Sequence, residues 1–91
     1  MFQFLANCIE KRRNIRRRWQ ADARTLILND ERNAYYAAQR LAARNRSEGN
    51  RAEFWHWAKV ASEVARLSPH AEMDLRVVQS IAEEEAARNK C

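Results

Sequence analysis

Residues 34–69 read AYYAAQRLAARNRSEGNRAEFWHWAKVASEVARLSP. In the first part, Ala34, Ala38, Leu41 and Ala42 recur at helical spacing, with Tyr35 and Tyr36 on the flanks. A face of small residues lets a second helix approach closely. Ser47, Glu48, Gly49 and Asn50 form the clearest loop, and Gly49 suits the left-handed backbone position that follows a helix end. Beyond it, Phe54, Trp57, Ala58, Ala61, Val64 and Ala65 make a second apolar stripe, which leaves Trp55 and His56 pointing elsewhere. The spacing predicts one helix from about Asp30 to Arg46 and another from Asn50 or Arg51 to about Leu67. A loop this short sets the two antiparallel, as a helical hairpin.

The flanks read as helix too. Upstream, Leu5, Cys8, Ile15, Trp19 and Leu26 share a stripe, with Ile9 and Ala23 beside it, so a helix is expected from about Phe2 to Leu28. Arg12 interrupts the stripe, and the segment is either one long helix or two short ones meeting near Asn14. Asn29 and Asp30 are cap-type residues before the next periodic segment. Downstream, Ser68 and Pro69 match the preferred cap and first position of a helix running to about Arg88. Its inner face is expected from Ala71, Leu75, Val78 and Ala82, with Met73, Val77 and Ile81 alongside, and Glu83, Glu84 and Glu85 begin a solvated tail. The expected fold class is all-α: a small bundle of three to four helices built on the central hairpin. Residues 1–28 form a basic amphipathic helix that packs on the bundle or projects as an arm, and residues 29–91 complete a single domain.

Composition agrees. The chain has 91 residues, enough for one domain, with one Gly and one Pro where strands and tight turns need many. Fourteen of its seventeen basic residues are Arg, which points to a GC-rich, bacterial coding sequence as much as to function. The net charge is +5, placed unevenly: residues 1–24 carry a net +5 and residues 69–91 a net −2. Cys8 and Cys91 belong to no CxxC pair, and free thiols in a reducing compartment are expected. Apolar Phe2, Phe4, Leu5, Cys8 and Ile9 precede the basic cluster, the reverse of a secretory signal, so the expected location is cytoplasmic.

Between Tyr35 and Pro69 the chain resembles a single tetratricopeptide helical hairpin: small residues on the first helix, a Gly turn, aromatics and Ala on the second, then Pro. Its second helix is about one turn longer than in that repeat, and the unit occurs once where such repeats stack in about three copies. The resemblance therefore implies a helical hairpin and carries no function.

Two surfaces are candidate sites. Lys11, Arg12, Arg13, Arg16, Arg17 and Arg18 place six cations in eight residues without an acid. Residues 12 and 16 stack on one side of a helix with 13 and 17 beside them, so four guanidiniums can meet phosphates. An anionic membrane surface or plain solvation are the alternatives. Tyr36 and Trp55 are candidate contacts for a protein partner, Trp55 because an exposed Trp favours one. His56 and His70 lie in different helices with no ligand set to complete a metal site, and no spaced nucleophile, base and orienting acid appears. No cofactor or small-molecule substrate is expected. The sequence thus implies a non-enzymatic helical module that binds a protein or itself as a homodimer. Weak sequence-independent polyanion or nucleic-acid binding is the alternative, and peripheral membrane association a remoter one.

Overall fold

The computed structural model describes the backbone of residues 2–89 and the side chains of residues 5–89. Its described residues form four helices and no strand: α1 (Phe2–Asp30), α2 (Ala34–Ser47), α3 (Arg51–Leu67) and α4 (Leu75–Asn89). Cys91 lies outside the described residues, as do the side chains of Phe2 and Phe4.

Helix α1 is continuous through Asn14. Nothing in its 29 residues breaks a helix, since the first Gly of the chain is Gly49, and the helix is about 43 Å long. It also runs further than the cap-type residues imply. Asp30 ends α1 rather than starting α2; Asn33 Nδ2 donates to Asp30 Oδ2 at 2.9 Å, and residues 31–33 make the turn. A cap residue satisfies a local rule at either end of a short turn, and here the chain uses Asp30 to close the preceding helix.

The core is small and centred on α2. Ala34 and Ala38 of α2 meet Ala23 of α1, Val60, Ala61 and Val64 of α3, and Ala71, all buried. Trp19, Leu26, Ile27, Tyr35 and Trp57 pack around them. Helix α2 touches each of the other three helices, whereas α4 packs against α2 alone. Gly49 adopts φ +78° in the α2–α3 loop, and Asn50 caps α3 by accepting the Glu53 N–H at 3.1 Å.

The α3 stripe is rotated from its expected position. His56, Val60, Ala61 and Val64 are its buried residues, Phe54 and Trp57 are half-buried, and Ala65 is exposed. His56 turns inward because Asp22 of α1 answers it, with Nε2 and Oδ2 2.7 Å apart.

The expected start of α4 is also corrected. Residues 68–74 are not helical: they cross from the end of α3 to the start of α2. Ser68 is buried, and its hydroxyl donates to Glu31 Oε1 at 2.6 Å instead of capping α4. Asp74 caps α4, accepting the Arg76 N–H at 2.9 Å. The crossover is pinned by Glu72 N–H to the Arg32 carbonyl and by Asp74 N–H to the Tyr36 hydroxyl. From there α4 runs alongside α2 in the same direction, as the pairs Arg40–Glu84 and Ser47–Asn89 mark out.

This packing separates two alanines that look alike in sequence. Ala38 is fully buried where helices meet, and Ala82 of α4 is exposed. Ala38→Leu is expected to lower stability by about 2 kcal/mol through overpacking, and Ala82→Leu to leave it within about 0.5 kcal/mol. Urea titration followed by Trp fluorescence measures both.

Candidate functional site

The two faces of α4 differ from the expected pattern, and a concave surface lies beside them. Its buried residues are Ile81 and Glu85. Leu75 is 79% exposed, Ala82 is exposed and Val78 is half-buried, so the expected inner stripe mostly faces outward. Glu85, expected in a solvated tail, is 2% exposed. Its Oε1 accepts from Arg40 Nη1 and Arg44 Nη2 of α2, each at 3.2 Å, and Arg88 stands 3.8 Å from Oε2. Arg40 also donates to Glu84 at 2.8 Å. Burial pushes the Glu85 carboxyl up, but the bonds from Arg44 and Arg40 outweigh it and hold the group below the usual carboxylate range. With Glu85 bonded to α2, Val78 stays half-buried and Ala82 and Ala86 are exposed.

Those residues, with Ala42, Ala43 and Phe54, line a groove of about 470 Å³ over α2, between α3 and α4. Arg46 lies over the Phe54 ring, 5.8 Å from its centroid. Trp55 is 57% exposed and packs its ring against Phe54, with centroids 5.2 Å apart. Tyr36 is placed elsewhere. Its hydroxyl is taken by the Asp74 N–H, and it borders a shallower cleft with Val77 and Ile81 on the other side of α4. The structure therefore does not bring Tyr36 and Trp55 together.

The basic segment lies on the outer half of α1. From residue 5 to residue 18 every side chain is exposed except that of Cys8, which is half-buried. Arg18 donates both to Oε1 and to Oε2 of Glu53 in α3, at 2.8 and 3.0 Å. It is thereby separated from the other five: Lys11, Arg12, Arg13, Arg16 and Arg17 have no acidic partner among the described residues. Leu5, Ile9 and Ile15 on the same half are 58%, 52% and 48% exposed.

Among the described residues, no cluster of three His, Cys, Asp or Glu side chains could hold a metal, and no helix is long and apolar enough to cross a membrane. The His56–Asp22 pair has the base and orienting acid of a catalytic triad, but among the described residues no hydroxyl or thiol bonds to the imidazole. Compared with protein families, characterised proteins and solved structures, the chain matches none.

Glu85 and its Arg partners escaped the sequence because the residues that make burial tolerable come from another helix. The one local trace is Arg40 and Arg44, one helical turn apart and able to converge on a single carboxylate. Glu85→Gln keeps the shape and removes the charge, and is expected to cost about 2 kcal/mol in urea titration. Because the folded carboxyl titrates below its unfolded value, the pair contributes fully above the ordinary Glu range. Its contribution is lost as pH falls below about 4. Wild-type stability should drop there, and the variant's should drop less.

Proposed function

We propose that this chain is a non-enzymatic binding module: a four-helix bundle built on an antiparallel hairpin of α2 and α3, whose partner is another protein. The observation that supports it is the groove between α3 and α4. A stripe with the spacing of a core face, Val78, Ala82 and Ala86, lies open beside half-buried Phe54. The alanines leave room for close backbone approach, so the occupant is an amphipathic helix offering large apolar side chains. Trp55 stands beside Phe54 as a rim anchor.

A photo-crosslinking side chain placed at Ala82 tests this reading in cells, with Ala65, exposed on α3 about 16 Å of helix rise from Phe54, as the control position. A discrete protein adduct from position 82 alone, lost when Val78→Glu is added, is expected. No adduct, or equal labelling from both positions, would overturn the proposal. An adduct to a second copy of the chain would identify the partner as self.

A second reading, polyanion binding through Lys11–Arg18, is favoured by the five cations of α1 that have no acidic partner among the described residues. Like charges crowded on an exposed helix repel one another, and phosphates relieve that repulsion while releasing counterions. Anisotropy with labelled DNA and RNA should show weak, sequence-independent binding that falls steeply with salt. The variant with Arg12, Arg13, Arg16 and Arg17 changed to Gln should bind at least about tenfold more weakly. Equal binding by the two proteins would leave the segment a solvated surface.

A further inference from the structure

Resting on that second reading, we infer that the outer half of α1 is a docking element for an anionic lipid surface. Charge alone does not distinguish a phosphodiester backbone from a bilayer, but the placement of apolar residues does.

The outer half of α1 is segregated along its axis. Residues 5–9 contain no charged side chain, and Leu5 and Ile9 project there, each more than half exposed. The cations begin at Lys11 and end at Arg18. Because the helix is continuous, this order in sequence is an order in space: Leu5 and Arg12 share a face and are separated by about 10 Å of helix rise. An interfacial helix buries its apolar atoms about 5–10 Å below the headgroups. A helix entering obliquely, with residues 5–9 deepest, therefore sets the guanidiniums of Arg12, Arg13, Arg16 and Arg17 at the level of the lipid phosphates. Ile15, 48% exposed, lies within the cationic zone, about 9 Å of helix rise beyond Ile9.

Other partners use only part of this surface. Nucleic-acid backbones engage the cations and leave Leu5 and Ile9 in water. Pairing of two α1 helices along the shared face would bring Arg12 and Arg16 against like charges, which is unfavourable. Glu10 is the one acid on the outer half; it lies nearly opposite the face of Leu5 and Arg12, on the side of Arg13 and Arg17. The bundle does not obstruct contact, since side chains from residue 5 to residue 17 bond to nothing in α2, α3 or α4.

The test is co-sedimentation of the full chain with phosphatidylcholine vesicles, with and without phosphatidylglycerol, run beside DNA anisotropy at the same salt. Two variants accompany the wild type: Leu5→Gln with Ile9→Gln, and the fourfold Arg→Gln variant. Both sites are remote from the core, and circular dichroism confirms that each variant folds. The wild type is expected to bind phosphatidylglycerol vesicles, with partition falling at least about a hundredfold in the fourfold variant, since each cation near such a surface contributes about fivefold. The Leu5/Ile9 variant should lose vesicle binding at least about tenfold and leave any DNA binding unchanged. Binding to DNA without binding to vesicles would overturn the lipid inference and keep the polyanion reading. Vesicle binding undiminished by the Leu5/Ile9 substitutions would also overturn it, and binding to neither would overturn both.

Discussion

The small-residue face of α2 is the constraint on which the remaining packing depends. Ala34, Ala38 and Ala42 are all buried, and their short side chains let the backbones of neighbouring helices close in on α2. The largest fully buried apolar side chains are Val60 and Val64, so the core draws its stability from close fit rather than from bulk. With so little apolar volume, polar contacts carry the remaining joints. Ser68 with Glu31 fastens the crossover, His56 with Asp22 joins α3 to α1, and Glu85 with Arg40 and Arg44 seats α4.

Those joints mark where the sequence was legible and where it was not. Helix count, the loop at Gly49 and the start of α3 at Asn50 or Arg51 follow from short-range rules, and the structure agrees with them. The errors share a cause. Ser68 and Pro69 satisfy the local chemistry of a helix start, but Glu31, more than thirty residues away, claims the hydroxyl. Glu85 sits in a run of three acids whose only sequence signal is solvation, yet two arginines from α2 make its burial tolerable. Apolar periodicity ranked Leu75, Val78 and Ala82 as the inner face of α4, and a charged contact outranked it.

The candidate surfaces divide in the same way. The cations of residues 11–18 were visible because they are contiguous, although the structure removes Arg18 from the group by giving it Glu53. The groove was invisible, because its lining comes from α2, α3 and α4 together. Tyr36, on the flank of the α2 small-residue face, supplies the hydroxyl that holds the start of α4.

The continuity of α1 has a mechanical consequence. One helix contributes Ala23 and Leu26 to the core and Leu5 and Ile9 to the outer half, with no glycine or proline between them to act as a joint. Whatever grips the outer turns therefore fixes the attitude of the whole bundle. As a strut, the helix would set the distance from such a partner and the direction in which the α3–α4 groove faces it.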